Sequence, residues 1–308
     1  MKPPKTEQRN PRTRGLDRKS TLAILRLLNR EDAGVALAVR RELPKIARAA
    51  NAIVKSLAAG GRLIYVGAGT SGRLAVLDAA ECPPTFGTPA RTVEAILAGG
   101  VRAFRHAAEG AEDSSANGAR DLAAARVTRR DVVVALAASG ATPYVLGALR
   151  LASRRGAVTV AITSNSHSPL ARRARISIAP DTGPEAVAGS TRLKAGTAQK
   201  MVLNLLSTAS MVRLGRVYDN WMIYVALKNQ KLRQRGARIL EEAAGVSPSA
   251  AAHALRLAGH DLPTALVALR TGASPREARR RLAASRGNVS EALALSQSPR
   301  ANSRRRRK

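Results

Sequence analysis

The residues best suited to bind an anion lie in one glycine-rich loop that follows a short apolar run. Leu63 to Val66 lead into Gly67-Ala-Gly69-Thr-Ser-Gly72-Arg73, and an apolar helical pattern begins at Leu74. A strand, a glycine turn and a helix in this order present backbone N–H groups at a helix N-terminus, where a phosphate binds favourably. The candidate ligand contacts in this loop are Gly69, Thr70, Ser71, Gly72 and Arg73.

Two classes of ligand fit this spacing. The pattern G-x-G-x-x-G also occurs in dinucleotide-binding folds, and Glu94 follows about twenty residues later, as that fingerprint requires. Thr70, Ser71 and Arg73, however, add two hydroxyls and a guanidinium, which suit a terminal phosphate dianion better than a buried pyrophosphate. A second loop of similar chemistry follows another apolar run, and its candidate contacts are Ser139, Gly140 and Thr142. We therefore favour a phosphorylated sugar over NAD.

Strands and helices alternate from residue 62 onward. The apolar patterns predict strands at residues 63–66, 92–97, 131–137, 157–163 and 176–179. Helical patterns lie between them, at residues 101–108, 115–125 and 142–153. This alternation predicts an α/β fold, a doubly wound parallel sheet flanked by helices. Both hydroxyl-bearing loops then lie at the carboxyl edge of the sheet, where open α/β sheets bind their ligands.

The patterns on either side of the sheet divide the chain into four predicted regions. Residues 1–54 form an arm and helices, and residues 55–244 form the ligand-binding domain, ending in long helices at 191–213 and 217–242. Residues 245–296 form a small all-α domain, and residues 297–308 form a basic disordered tail. Helix N-caps are predicted at Ser20, Ser247, Asp261, Ser274 and Asn288.

The composition narrows the possible partners. The net charge is +31, but the arginines are spread along the chain and aromatic residues make up only 2%, so we favour solvated faces over specific nucleic-acid binding. One cysteine excludes an internal disulfide, and no apolar run approaches the roughly 18 residues that a membrane span needs. These features predict a cytoplasmic protein without a membrane segment. The four histidines lack metal-ligand spacing, so no metal site is predicted.

Several motifs resemble those of one known family. They are Thr6-Glu-Gln-Arg-Asn-Pro11, Tyr65-Val-Gly-Ala-Gly-Thr-Ser-Gly-Arg-Leu74, Glu81-Cys-Pro-Pro-Thr-Phe-Gly87, Gly110-Ala-Glu-Asp-Ser114, Ala138-Ser-Gly140 with Thr142-Pro-Tyr144, and Gly189-Ser-Thr-Arg-Leu-Lys-Ala-Gly-Thr-Ala-Gln-Lys200. In this order they resemble the sugar isomerase (SIS) phosphosugar-binding family and, within it, the N-acetylmuramic acid 6-phosphate etherases, relatives of the glucokinase regulatory protein. The resemblance implies a SIS fold for residues 55–244 and a ubiquitin-associated-like domain for 245–296.

The resemblance also implies a reaction and its residues. Family members cleave the D-lactyl ether of N-acetylmuramic acid 6-phosphate, giving N-acetylglucosamine 6-phosphate and D-lactate, without a metal or redox cofactor. By motif position, Glu81 corresponds to the acid that protonates the leaving lactate, and Glu112 to the second active-site glutamate. We choose Glu112 as the base that removes the C2 proton. A third group of substrate contacts is expected after the sheet, and it comprises Ser190, Thr191, Arg192 and Lys194.

Helix geometry raises the question of which subunit uses Glu81. A helix that starts near Ser71 carries Glu81 about 15 Å away from the phosphate loop, so we hypothesise a homodimer whose site lies near the interface. A non-catalytic phosphosugar sensor is the alternative function, although such a regulator would not need both Glu81 and Glu112. A phosphosugar isomerase is the third possibility, but it needs no acid for a lactyl leaving group.

Overall fold

The computed structural model describes residues 4–106, 108–227 and 229–295. The predicted tail at 297–308 and the last residue of the predicted small domain lie outside these ranges. The chain forms two compact units, the first comprising Met1–Glu81 and Ala90–Ser210, and the second comprising Cys82–Pro89 and Met211–Lys308. No helix within the described ranges is long and apolar enough to span a membrane.

The first unit begins with an arm of three short 3₁₀ turns, at Lys5–Glu7, Pro11–Thr13 and Leu16–Arg18. Three helices follow, namely α1 (Thr21–Asp32), α2 (Val35–Arg40) and α3 (Leu43–Ala58). The hydroxyl of Ser20 accepts a hydrogen bond from Ala23 N, which confirms the predicted N-cap.

Strands and helices then alternate as the sequence predicts. The elements are β1 (Leu63–Gly67), α4 (Gly69–Phe86), β2 (Val93–Leu97), α5 (Arg102–Arg105), α6 (Ser115–Ala124), β3 (Val132–Leu136), α7 (Pro143–Arg154), β4 (Val158–Ile162), α8 (Pro169–Arg173), β5 (Ile176–Ile178) and α9 (Lys194–Arg213). In the described part of the chain the strands form one five-stranded parallel sheet, in the order β2-β1-β3-β4-β5. The predicted parallel α/β sheet is confirmed.

Helices cover both faces of this sheet. Ile64 and Val66 of β1 share a buried cluster with side chains of α6 and α7, including Leu122 and Leu149. The next residue along the strand alternates to the other face, where the Tyr65 hydroxyl donates to Asp78 of α4 at 2.8 Å. Helix α3 packs against β1, β3 and β5. The strands therefore read as continuous apolar runs because both faces are buried.

The second unit contains helices whose N-termini are capped by side chains. They are α10 (Gln230–Ala244), α11 (Pro248–Leu257), α12 (Leu262–Thr271), α13 (Pro275–Ala284) and α14 (Val289–Ala294). The side chains of Ser247, Asp261, Ser274 and Asn288 each accept a hydrogen bond from a backbone N–H of the first turn, so these four predicted caps are confirmed.

One predicted helix boundary is wrong, and another helix continues past two prolines. The predicted helix at 217–242 begins only at Gln230. Before it, Tyr218 and Trp221 form an antiparallel bridge, and the turn that follows buries Ile223 and Val225. A helix usually ends before a proline, but α4 continues to Phe86. Pro83 and Pro84 lie in its last turns, and Gly87, with a φ of +62°, follows the helix as a left-handed residue.

A buried carboxylate connects the arm, α1 and the start of α9. Glu31 accepts hydrogen bonds from Arg12 Nη2 at 2.8 Å, Asn10 Nδ2 at 2.7 Å and Lys194 Nζ at 2.6 Å. The hydrogen bond from Arg12 lowers the pKa of Glu31 to about 2, although burial opposes the shift. Because the charged form has more partners in the folded state, Glu31 stabilises the fold above its ordinary pKa of 4.5, and this contribution is lost as the pH falls through about 2.

We expect Glu31→Gln to lower the free energy of unfolding by about 2–3 kcal/mol at pH 7. The difference from the parent protein should shrink as the pH falls below 4.5 and be mostly lost at about pH 2, because Glu31 becomes protonated and neutral like glutamine as the pH falls through its folded-state pKa. Urea denaturation at a series of pH values measures this difference. The exposed neighbour Asp32 supplies the control, and Asp32→Asn should change stability by no more than about 0.5 kcal/mol. A Glu31→Gln deficit that stays constant down to pH 2 would contradict the assignment.

Candidate functional site

The two hydroxyl-bearing loops follow neighbouring strands. Gly67 at the end of β1 pairs in register with Leu136 at the end of β3, so residues 68–72 and 137–142 leave the sheet side by side. From β1 the chain continues to β2 on one side, whereas β3 lies on the other side. This position is the topological switch point, where open α/β sheets form a crevice for ligands.

The first loop is closely packed, because two of its glycines leave no room for a side chain. A Cβ on Gly67 would lie 2.7 Å from Gly72 N, and a Cβ on Gly72 would lie 2.4 Å from Leu97 Cδ1. Gly69 has a φ of +52° and begins α4 directly, one residue after the strand has ended. The first N–H groups of α4 therefore lie at the switch point, which suits an anion.

The first loop provides hydroxyls of different exposure. Ser71 is buried, whereas Thr70 is half-buried and approaches the start of α9. The methyl group of Thr70 lies 3.5 Å from the position that a Cβ on Gly196 would take. Thr70 therefore lies within van der Waals reach of the first turn of α9.

The second loop packs against hydroxyl groups of the segment that connects β4 to β5. Gly140, with a φ of +68°, lies where a Cβ would be 2.2 Å from Ser168 Oγ and 2.7 Å from Thr163 Oγ1. Ser139 Oγ accepts a hydrogen bond from Ala141 N at 3.2 Å. Thr142 occupies the N-cap position of α7, but its hydroxyl makes no capping hydrogen bond. The structure therefore brings Ser139, Gly140 and Thr142 to the same edge as the first loop.

A small cavity of about 160 Å³ joins the first loop to the predicted base. Its lining includes Gly69, Arg73, Glu109 and Glu112. The Arg73 guanidinium donates from Nε to Phe104 O at 3.0 Å and from Nη2 to His106 O at 3.3 Å. Arg73 thereby connects α4 to the segment after β2 and lies beside Glu112.

The backbone of Glu112 is anchored to the start of α7. Tyr144 N donates to Glu112 O at 3.0 Å, and the Tyr144 hydroxyl donates to Asp121 Oδ2 of α6 at 2.8 Å. Burial, together with the bond to Asp121, raises the pKa of Tyr144. Gly118 of α6 and Gly147 of α7 allow the two helices to pack in direct contact. A Cβ on Gly118 would lie 1.9 Å from Tyr144 O, and a Cβ on Gly147 would lie 1.9 Å from Ser115 O.

Glu81 lies elsewhere on the first unit. It is exposed on α4, twelve residues after Gly69, or about 18 Å along the helix axis. It does not line the cavity that contains Glu112. One turn earlier, Asp78 accepts hydrogen bonds from Tyr65, Asn204 and Ser207, and these bonds fix this part of α4 against β1 and α9.

The third predicted group divides into exposed and buried residues. Ser190 and Thr191 are half-buried and Arg192 is exposed, so all three side chains reach solvent in the loop before α9. Lys194, in contrast, is only 2% exposed, and its ammonium is bound to Glu31 inside the protein. Glu185 accepts from Lys194 N at 3.0 Å and from Ala195 N at 2.9 Å, which caps the N-terminus of α9.

Comparisons with known proteins agree with this architecture. Residues 45–153 match the family model of the glucokinase regulatory protein N-terminal SIS domain. The solved phosphoheptose isomerase of Francisella tularensis has a similar fold, with a TM-score of 0.51 and 20% identity over 63% of this chain and 100% of that chain.

Two full-length relatives are much closer in sequence. They are the N-acetylmuramic acid 6-phosphate etherases of Yersinia pestis (strain Pestoides F) and Yersinia pseudotuberculosis (serotype O:1b), each 52% identical over 94% of this chain and 98% of the relative. The match to a SIS-domain model over residues 45–153, together with the parallel sheet and its two loops at the switch point, identifies a SIS-domain protein. Within that class, the chain belongs to the N-acetylmuramic acid 6-phosphate etherase family.

Sequence reasoning missed several residues that shape this site. Glu109 lines the cavity with Glu112, and its position three residues before Glu112 was a detectable signal. Glu31, Asp78 and Glu185 position the surrounding elements, but nothing in their local sequence distinguishes them from surface carboxylates. Their partners are distant in sequence, as the 163 positions between Glu31 and Lys194 illustrate.

We expect Gly72→Ala to destabilise the protein by about 1–3 kcal/mol, because the added methyl group would overlap Leu97 and Gly67. The sign of the change in the free energy of unfolding is informative, since alanine ordinarily stabilises a helical position relative to glycine by about 1 kcal/mol. Urea denaturation gives the free energy of unfolding. Gly34→Ala is the matched control, because its Cβ would make an ordinary 3.6 Å contact, and it should be neutral or slightly stabilising. A stabilised Gly72→Ala variant would refute the close packing.

Proposed function

We propose that this protein cleaves the D-lactyl ether of N-acetylmuramic acid 6-phosphate, giving N-acetylglucosamine 6-phosphate and D-lactate, in the recycling or breakdown of cell-wall amino sugars. The observation that carries the proposal is the cavity in which Glu112 lies beside Gly69 and Arg73, in a chain 52% identical to etherases over 94% of its length. The buried single cysteine and the absence of a membrane-spanning helix among the described residues accord with a cytoplasmic enzyme.

The reaction needs a base, an acid and a bound phosphate. In the open-chain sugar the C1 aldehyde acidifies the C2 proton, and the lactyl oxygen at C3 is then in the β position, so elimination followed by addition of water replaces direct hydrolysis of an unactivated ether. A carboxylate that removes the C2 proton and a carboxylic acid that protonates the leaving alkoxide each contribute roughly 10² to 10⁴ in rate. These steps call for no metal or redox cofactor.

The loops at the switch point suit the phosphate and the sugar. The N-terminus of α4, with Gly69, Thr70, Ser71 and Gly72, presents N–H and hydroxyl donors that would bind the phosphate dianion. Across the crevice, Ser139, Gly140 and Thr142 would supply further donors to the same ligand. Ser190, Thr191 and Arg192 would close over the sugar, and the Arg192 guanidinium is suited to the lactate carboxylate.

We assign the base to Glu112 and the acid to Glu81. Glu112 lines the cavity next to the phosphate loop, which supports its assignment as the base. Glu81 would protonate the departing lactate oxygen and later deprotonate the water that adds.

A homodimer would bring the two carboxylates together. The separation of about 18 Å along α4 sets Glu81 apart from the phosphate loop of its own chain. Because Glu81 is exposed, it can enter the pocket of a second copy. We therefore propose a homodimer whose sites lie near the interface, each combining Glu112 of one subunit with Glu81 of the other.

The domain division is part of the same proposal. Residues 55–244 would form the SIS phosphosugar-binding domain, preceded by the arm and helices of residues 1–54. Residues 245–296 would form a small ubiquitin-associated-like helical domain, for which the capped helices α11 to α14 and their shared apolar cluster provide support.

Purified protein incubated with N-acetylmuramic acid 6-phosphate should release D-lactate, which an enzymatic lactate assay measures. Glu112→Gln and Glu81→Gln should each reduce this release by about 10² to 10⁴. Asp113→Asn, beside Glu112, controls for the loss of one negative charge and should retain most of the activity. When the product N-acetylglucosamine 6-phosphate is incubated with enzyme in D₂O, the parent protein should catalyse exchange of its C2 proton. Glu112→Gln should lose this exchange activity, whereas Glu81→Gln should keep it. Folded parent protein that binds the substrate but releases no lactate would favour the sensor.

Mixing the Glu81→Ala and Glu112→Ala proteins tests the shared site. Heterodimers contain one site with both glutamates intact, so a random mixture should recover about a quarter of the parent activity if two-fold symmetry holds. Each variant mixed with itself, denatured and refolded in the same way, is the control. Failure to recover activity in a mixture shown to contain heterodimers would exclude a site shared between subunits.

A further inference from the structure

The third substrate loop is attached to a buried charge cluster that the reaction itself does not use. The carboxylate of Glu31 binds two cations, Arg12 and Lys194, and the side chain of Lys194 is 2% exposed. Arg12 reaches it with two nitrogens, Nε at 2.5 Å and Nη2 at 2.8 Å, while its own side chain remains 62% exposed. The cluster therefore connects the surface of the arm to the first residue of α9.

The arm makes further hydrogen bonds along the segment that leads to this loop. Asn10 Nδ2, which also donates to Glu31, donates to Pro184 O at 3.1 Å. Thr13 Oγ1 donates to Ala186 O at 2.8 Å, and Gly189 N donates to Thr6 O at 3.2 Å. Residues 184–189 are thus bound to the arm, and residue 194 is bound to Glu31. The stretch between them contains Ser190, Thr191 and Arg192.

The energetics of buried charges make this arrangement cooperative. Removing one partner of a buried pair leaves an uncompensated charge and is strongly destabilising, whereas a fully satisfied network holds one geometry. Lys194 can remain buried only while Glu31 is charged and in place. Glu31 in turn is held by Arg12 and Asn10 of the arm. The position of α9's first turn, and with it the end of the third loop, depends on the arm.

We propose that Glu31, with Arg12 and Lys194, is a positioning residue that holds residues 190–192 in the substrate-binding conformation before the substrate arrives. Lys194 then serves the site through Glu31 and not by contact with the sugar. The inference rests on the proposed function for the identity of the substrate, but the order of the loop is a property of the protein alone. The N-terminal arm becomes a functional part of the phosphosugar site.

Hydrogen–deuterium exchange of the full-length protein, followed by mass spectrometry without any ligand, tests the order of the loop. Glu31→Gln should speed exchange of the amides at 189–193 by about tenfold or more, because local opening no longer breaks an ion pair. Arg12→Ala should produce the same change to a smaller extent. Exchange at residues 69–72 and 139–142 should stay as in the parent protein.

The matched control is a buried ion pair at the opposite edge of the sheet. Arg62 Nη2 lies 3.0 Å from Asp131 Oδ2, whose side chain is 3% exposed. Asp131→Asn should destabilise the protein while leaving exchange at 189–193 unchanged. Unchanged exchange in Glu31→Gln, or an equal increase in Asp131→Asn, would overturn the proposal. If Glu31→Gln does not fold, Arg12→Ala decides the question, because its removal leaves Glu31 paired with Lys194.

Kinetics separate a positioning role from a general loss of folded enzyme. In Arg12→Ala and Glu31→Gln the KM for N-acetylmuramic acid 6-phosphate should rise by about fivefold or more while kcat stays within about twofold. This result is expected when a contact that binds the ground state and the transition state equally is lost. A fall in kcat at constant KM would indicate only less folded protein and would count against the proposal. An inactive parent protein would refute the proposed function, whereas the exchange comparison would still decide whether Glu31 orders the loop.

Discussion

The contact between the end of β1 and the first turn of α4 is the constraint on which the site depends. Gly67 and Gly72 approach so closely that neither position has room for a Cβ. The helix therefore starts within two residues of the strand, and its unpaired N–H groups are held at the switch point between β1 and β3. The second loop and the segment with Glu112 are arranged around this helix end.

Buried carboxylates determine how the other elements of the first unit pack against one another. Four carboxylates are each at most 6% exposed, and each accepts hydrogen bonds from more than one residue; they are Glu31, Asp78, Asp131 and Glu185. A charge removed from water is tolerated only with several partners, so each of these groups requires its neighbours to be in one arrangement. In this chain such clusters join the arm to α9, α4 to α9, and the amino ends of β1 and β3.

The two glutamates assigned to catalysis are supported in different ways. Glu112 belongs to a loop whose backbone is bonded to α7, and the Tyr144–Asp121 hydrogen bond and the glycines of α6 and α7 stabilise that attachment. Glu81 projects from a helix that Asp78 holds from the inside, one turn away. Rigid helices thus determine the position of both carboxylates, and their separation within one chain is the physical basis for proposing a site built from two chains.

Local signals in the sequence were sufficient for the strands, the helix caps and the phosphate-type loops. Apolar runs, an N-cap serine and a glycine turn act within a few residues, so they can be recognised without knowing the fold. The same local rules gave the wrong result before Gln230, where an apolar pattern that suits a helix forms a bridge between Tyr218 and Trp221 and a turn. They also do not explain Pro83, because a helix usually ends before a proline and α4 continues past it.

The sequence by itself determined a parallel α/β sheet with two loops suited to a phosphate, and its motifs pointed to the family and to Glu81 and Glu112. Only the tertiary structure decided that Glu112 shares a cavity with Glu109 and Arg73 and that Lys194 is a buried partner of Glu31. The reason is physical: these outcomes depend on which distant segments exclude water from a charge, and no pattern within one segment contains that information.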